Sequence, residues 1–415
     1  MDIAIDRACG LDVHQASVTA CVLLGDGPRP KKIVRTFPAM RAGLEELRDW
    51  LHGFAVTHVT FEGTGVYWMP VHSTLEGRFD ITVVNARHVR QLPGRKTDVN
   101  DAQWLATLLR HGLLRKSFIP ARDIRALRDM ARYRRMLVQS ATAEKNRILK
   151  LLEMAGIKLS TVVSDVFGKS GMEMIRALAS GNTAPEAIAQ MARSRLRGKL
   201  PELQLALDVV VEHHHRLMLR DQITRLDRTI EEIARYDALL EERVAAYEEQ
   251  ISLLCSIDGV QRVAAIEIFA EIGPDLSSFP TDGHFSSWAG TCPGQHESAG
   301  VHRNTRRRRG NPYLQSILVE CSLAATRKKG TYLKDKYHRL RARRGTMRAL
   351  FAIAHKLTRA VYRVLTTRSR HEDLGDTYLD RRNSAAVARN LIARLQRLGY
   401  DASTVRPLAP SPVPT

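Results

Sequence analysis

Aromatic residues make up only 6% of the 415 positions, and the five cysteines, Cys9, Cys21, Cys255, Cys292 and Cys321, are scattered without a CxxC pair. An odd number at such spacings excludes a disulfide framework and a structural zinc, and points to a reducing, cytoplasmic compartment. No apolar run approaches the ~20 residues that cross a bilayer, and acids stand at Asp2 and Asp6, where a signal peptide would carry bases. No Gly-x-x-x-x-Gly-Lys-Ser/Thr run occurs, which excludes a P-loop nucleotide site. Acidic residues are also scarce: 44, against 64 Lys and Arg, leaving a formal charge of +20. A surplus of this size favours a polyanionic partner, most often nucleic acid. The length and a hydrophobic content of 44% suit a helix-rich protein of two or three domains.

What is present begins with alternating strand and helix signals. Residues 8–13, 18–24 and 32–37 read as a three-stranded meander punctuated by Gly25-Asp26-Gly27. Residues 40–51 follow as a helix with Leu44, Leu47 and Leu51 along one side, then a strand at 58–62, a helix at 66–75, a strand at 81–84, and a helix from about Asp98. This is an α/β order with a mixed sheet.

The last of these helices carries the sharpest signal. Thr97 suits its N-cap, and the apolar stripe read backwards from Leu108 passes through Leu105 to Asp101 and Asp98. Acids in a first turn oppose the helix dipole, and that alone would place them in solvent. On an inward face, two ionised carboxylates repel each other and lose hydration unless a cation lies between them, which a divalent metal provides. Asp12 shares a strand face with Ala8 and Gly10, and Glu62 with His58 and Thr60. Either alone reads as a strand-end acid in water; four acids from two strands and one helix of a single domain favour a metal site. Gly63-Thr64-Gly65 would let a phosphate backbone approach closely. The basic residues Arg87, His88, Arg90, Arg95 and Lys96 lead a nucleic-acid strand toward the acids.

This order of elements, with Asp12, Glu62, Asp98 and Asp101 in place, resembles the ribonuclease H or RuvC-like nuclease fold. The resemblance implies an Asp-Glu-Asp-Asp set holding two divalent ions about 4 Å apart, and hard oxygen donors select Mg2+ or Mn2+.

Residues 119–250 read as helical. Arg125, Arg128, Arg132 and Arg135 follow at spacings of three, four and three, with only Asp129 nearby, and predict a basic stripe against a nucleic-acid backbone; the alternative is a solvated charged face. Residues 156–200 read as short helices broken at Gly168, Gly181 and Pro185, without evident chemistry. Leu219, Ile223, Leu226, Ile230, Ile233, Asp237, Leu240 and Val244 form a heptad seam, suited to a coiled coil within one chain or between chains. The run His213-His214-His215 is discounted as a metal site, because consecutive helical residues point in different directions.

Residues 251–272 read as two helices about Ile257-Asp258-Gly259-Val260, similar to a DNA-binding helix-hairpin-helix, although Gln261 stands where a second glycine is usual. A turn-rich segment from Phe285 to Gly300 contains Ser298 and leads into Arg303, Arg306, Arg307, Arg308, Arg309 and Asn311. A serine beside five arginines lies in a field that would stabilise charge developing at a phosphate under attack, and such arginines suit backbone contact better than base reading. A further helix spans 346–365, and residues 371–415 form a tail whose end, 407–415, is proline-rich and expected to be disordered.

Taken together, Gly10-Leu11-Asp12, Glu62-Gly63-Thr64-Gly65, Lys96 to Ala102, Trp288-Ala289-Gly290-Thr291-Cys292-Pro293, Glu297-Ser298-Ala299-Gly300, Gly310-Asn311 and Leu314 resemble the markers of the DEDD-type insertion-sequence transposases. Thr291 replaces a commoner leucine, and residues 156–210 exceed what compact members carry. The resemblance covers about residues 8–365. It implies a RuvC-like domain (1–118), a helical and coiled-coil region (119–250) and a mainly helical, serine-bearing transposase domain (251–370). It further implies that Asp12, Glu62, Asp98 and Asp101 hold Mg2+, that Ser298 attacks DNA to form a phosphoserine intermediate, and that one subunit's acids meet another's serine in a dimer or tetramer. A structured non-coding RNA, the bridge RNA, would pair with donor and target DNA, in a bacterial, nucleoid-associated setting. Two rival expectations are a metal-dependent, junction-resolving nuclease in which Ser298 is passive, and a non-enzymatic nucleic-acid binder.

Overall fold

A computed structural model of the protein describes residues 3–90, 101–181, 184–294, 296–298, 301–304, 310–402 and 405–406; at residues 87, 296–298 and 301–304 it describes the backbone alone. The chain divides into two compact units, 1–119 and 120–415.

The first unit is an α/β layer built on β1 (Arg7–Val13), β2 (Ser17–Leu24), β3 (Lys31–Pro38), α1 (Arg41–Gly53), β4 (His58–Glu62), α2 (Trp68–Leu75), β5 (Asp80–Val84), α3 (Ala86–Val89) and α4 (Asp101–Arg110). The sheet order is β3-β2-β1-β4-β5, with the first three strands antiparallel and β1, β4 and β5 parallel. This is the mixed sheet of the ribonuclease H-like fold, in agreement with the element order read from the sequence.

Strand β1 is buried from Ala8 to Leu11 because both faces are covered. On one side Cys9 and Leu11 join Val59 and Phe61 of β4 in a core with Leu44, Leu47 and Leu51 of α1 and Val71 and Leu75 of α2. The other side meets α4. A Cβ on Gly10 would stand 2.1 Å from the Ala102 carbonyl oxygen and 2.5 Å from the Ala106 nitrogen. Glycine at position 10 is therefore what lets α4 lie directly on the strand. Gly10→Ala is expected to force helix and sheet apart and lower stability by about 1–3 kcal/mol, read as a fall in the thermal unfolding midpoint.

The second unit is helical: α5 (Arg122–Met154), α6 (Leu159–Val162), α7 (Lys169–Ser180), α8 (Pro185–Ala189), α9 (Leu200–Leu207), α10 (His213–Val244), α11 (Glu248–Cys255), α12 (Arg262–Ile272), α13 (Asp282–Ala289), α14 (Pro312–Ala325), α15 (Tyr332–Arg344), α16 (Thr346–Thr367), α17 (Tyr378–Arg382) and α18 (Ser384–Arg397). A two-stranded ribbon, β6 (His296–Ser298) and β7 (Val301–Asn304), interrupts them.

Part of the heptad seam of α10 packs within the chain, while its Ile230 is exposed. Tyr133 stacks near Tyr236, Arg134 pairs with Asp237, and Arg225 lies 3.5 Å from Glu144, so α5 and α10 run antiparallel. Asp237, the polar break in the seam, thus meets a cation of the partner helix. Leu219, Ile223 and Leu226 enter a core with Ile148, Leu151 and Leu152 of α5 and Ile175 and Leu178 of α7. The hairpin glycine Gly259 has φ +86°, and a Cβ there would stand 2.3 Å from the Cys321 carbonyl oxygen, so that turn packs tightly on α14. Within the expected tail, 378–397 forms α17 and α18, while 407–415 lies outside the described residues.

Candidate active site

Register places two of the four acids side by side. Gly10 pairs with Thr60 and Leu11 with Phe61 across the parallel strands β1 and β4. Extended one residue past the last pair, that register would bring Asp12 beside Glu62, at the usual strand spacing of about 4.8 Å. Both belong to the face of Gly10 and Thr60, since Leu11 and Phe61 point to the opposite core.

The helix brings a third. The Ala4 amide donates to the Arg110 carbonyl at the C-terminal end of α4 (3.0 Å), whereas Gly10 lies against Ala102 and Ala106 near its start. Strand and helix are antiparallel, so Asp12, beyond Gly10, lies toward the helix end that begins with Asp101. All three acids are half-buried. His14 Nε2 lies 3.3 Å from Asp12 Oδ2, a neighbour the sequence did not single out.

Carboxylates at two strand ends and a helix start could offer only oxygen donors, the kind that suits a hard divalent ion. Their oxygens are not drawn within 4.8 Å of one another as a three-ligand group among the described residues. Asp98, Arg95 and Lys96 lie outside the described residues.

Ser298 ends β6 and pairs with Val301 of β7. The sequence suggested a loop here; the ribbon escaped notice because its three- and four-residue strands carry no apolar alternation. Arg303 lies on β7, and Arg306, Arg307, Arg308 and Arg309 fall outside the described residues.

The segment closes on itself where Gly290 meets Gly310, since a Cβ on Gly310 would stand 2.2 Å from the Gly290 nitrogen. Asn311 then caps α14, its Oδ1 accepting from the Tyr313 and Leu314 amides at 3.0 and 3.2 Å, while its Nδ2 donates to Glu271 at 2.6 Å. Asn311 thus anchors the ribbon's base to a buried carboxylate of α12.

That carboxylate also corrects the reading of the arginine stripe. The stripe lies on one face of α5, but the face turns inward. Arg132 binds Glu271 with both carboxylate oxygens, at 2.7 and 2.8 Å, and Arg128 lies 3.5 Å from the same group while donating to the Ala270 carbonyl. Arg135 donates to Glu267 at 3.0 Å and to Ser316 at 2.8 Å, and also pairs with Glu320. Arg125 donates to the Pro120 carbonyl at 3.0 Å.

Burial pushes the Arg128 guanidinium down to about 10, and burial raises the Glu267 carboxyl against the pull of Arg135 and Arg134. Arg128, Arg132 and Arg135 are therefore engaged in holding α5 to α12. The signal that would have revealed this is in α12 itself: Glu267 and Glu271, four apart, interrupt an otherwise apolar helix and require buried cations. Removing one partner leaves the others uncompensated, so Glu271→Ala is expected to cost about 3–5 kcal/mol, measured by denaturant unfolding.

His213 stays apart, but donor atoms of Glu212, His214 and His215 lie within 4.8 Å of one another, with the two rings 3.9 Å apart. No described helix is long and apolar enough to cross a membrane.

Two sequence families match the chain. Residues 9–156 match a family described as DEDD_Tnp_IS110, a transposase domain, and residues 251–338 match one described as the transposase IS116/IS110/IS902 family. Together these spans exceed half of the chain. A comparison with curated proteins found no match.

Proposed function

The chain belongs to the IS110 family of transposases, enzymes that act on DNA, and from that premise we propose that it cuts and rejoins DNA through Ser298, assisted by Asp12, Glu62, Asp98 and Asp101. The observation that carries this reading is the placement of Asp12, Glu62 and Asp101 on one side of the sheet, where β1 and β4 end and α4 begins. The remaining acid, Asp98, stands three residues before Asp101.

A divalent ion held there, Mg2+ or Mn2+, would supply Lewis acidity to the phosphate under attack. The residues do the rest. Asp12, Glu62, Asp98 and Asp101 would hold that ion, and the nucleophile is assigned to Ser298. As the Ser298 Oγ–P bond forms, the ester bond to the departing strand breaks, the serine proton leaves to solvent and the freed strand oxygen takes one up as a hydroxyl. A strand hydroxyl from the second DNA reverses the step, releases the serine and preserves the number of phosphodiester bonds, so no nucleotide triphosphate is needed.

Arg303, Arg306, Arg307, Arg308 and Arg309, with Arg95 and Lys96, are the cations assigned to the nucleic-acid backbone. The ion pairs of Arg128, Arg132 and Arg135 withdraw those three from the proposed interface. Target choice is proposed to come from a structured guide RNA pairing with donor and target DNA, consistent with the net positive charge.

Acids and serine lie in different units of the chain, and we place them in one site through a homo-oligomer, each copy supplying one half. Mixing Asp12→Asn protein with Ser298→Ala protein tests this: strand exchange should return in the mixture to a substantial fraction of normal, although neither variant acts alone. A mixture as inactive as its components would rule out the shared site.

A further inference from the structure

A cavity of about 600 Å³ lies among α15, α16, α17 and the segment leading into α17. Neither matched family span reaches α16 or α17. One face of α16 contributes Lys356, Arg359 and Arg363, spaced by three and four, and α17 contributes Arg382. Arg359 pairs with Asp282, but Lys356, Arg363 and Arg382 pair with no carboxylate among the described residues.

Of the other lining acids, Asp373 accepts from the Tyr332 and Gly375 amides at 3.1 and 2.7 Å, and Glu372 is exposed. Lys356 is half-buried; burial first, then Arg359, Lys336 and Arg382, push its ammonium below the ordinary lysine value. Burial likewise lowers His371, which therefore adds little charge. The four basic groups, Lys356, Arg359, Arg363 and Arg382, outnumber the three carboxylates of the lining, Asp282, Glu372 and Asp373, and favour an anion.

The walls are aromatic as well as basic. Tyr332 and Tyr378 meet edge to face at 5.6 Å, and Tyr362 is fixed by donating its hydroxyl to the Phe279 carbonyl at 2.9 Å. Fixed phenol rings beside unpaired cations are the combination that holds a base by stacking and its phosphate by charge, and the volume falls in the usual range for a site of that size. We propose that this cavity is a nucleotide pocket, receiving one base and its phosphate from an unpaired segment of nucleic acid.

The test uses the full-length protein and two 12-nucleotide probes, oligouridylate RNA with one central 4-thiouridine and oligothymidylate DNA with one central 4-thiothymidine. After photocrosslinking, crosslinked peptides are mapped by mass spectrometry. Adducts are expected on the peptides containing Tyr332 or Tyr378. Their yield should fall about tenfold in the Lys356→Gln/Arg382→Gln double variant, whose exposed or half-buried positions leave the thermal midpoint unchanged, and Tyr378→Leu should lower it independently. Crosslinks confined to other segments, or an unchanged yield at these peptides in the double variant, would overturn the proposal. Because binding is read without strand exchange, the result is independent of the role assigned to Ser298.

Discussion

Ser298→Ala is expected to abolish strand exchange, leaving less than about one part in 10^4 of the normal joining rate, the scale on which removal of a nucleophile acts. The loss should come without unfolding, because Ser298 ends a short ribbon, while the buried anchors of its base, Glu271, Asn311 and the Gly290–Gly310 contact, remain intact. Cysteine at this position is a stricter probe. It retains a nucleophile of different size and pKa, so an altered but measurable adduct should appear. If water were the nucleophile, as in a junction-resolving nuclease, Ser298→Ala would cleave DNA at the normal rate and only the acids would matter.

Substitution of the acids should be nearly as severe, by a different route. Asp12→Asn, Glu62→Gln and Asp101→Asn each keep shape but remove a charge from an all-oxygen donor set. Metal assistance is worth several kcal/mol of transition-state stabilisation, so each change should lower strand cleavage by about three decades or more. DNA binding, measured by gel shift in chelator, should remain close to normal, since the cations assigned to it keep their charge. Excess Mn2+ should partly restore the asparagine variants, and chelation should reproduce the loss in the unmodified protein. Retained activity in cells for Asp98→Asn or Asp12→Asn would instead favour a non-enzymatic binder.

The sequence made the sheet legible because its signals are local. Alternation in residues 8–13 and 58–62, with Leu44, Leu47 and Leu51 on the intervening helix, suffices to order β1, α1 and β4, and the strand pairing of the structure follows that order. The positions of Asp12 and Glu62 near strand ends and of Asp101 near a helix start were legible for the same reason, while Gly10 held a further clue: only a residue without a side chain could lie under Ala102 and Ala106.

The arginine stripe shows where such reading stops. Spacing gives the face on which Arg128, Arg132 and Arg135 lie but not what that face meets, and their partners Glu267 and Glu271 are more than 130 residues away. The cavity beside α16 depends on tyrosines from α15, α16 and α17, whose approach no local pattern encodes.

The most direct measurement is capture of the covalent intermediate. A DNA substrate nicked beside the scissile phosphate, so that the cleaved end diffuses away, is incubated with the full-length protein and Mg2+, digested and analysed by mass spectrometry. A phosphonucleotide attached to Ser298 is expected, absent in chelator and in Asp12→Asn protein. DNA cleaved without any adduct at Ser298, or an adduct that forms undiminished when Asp12 is neutralised, would contradict the account.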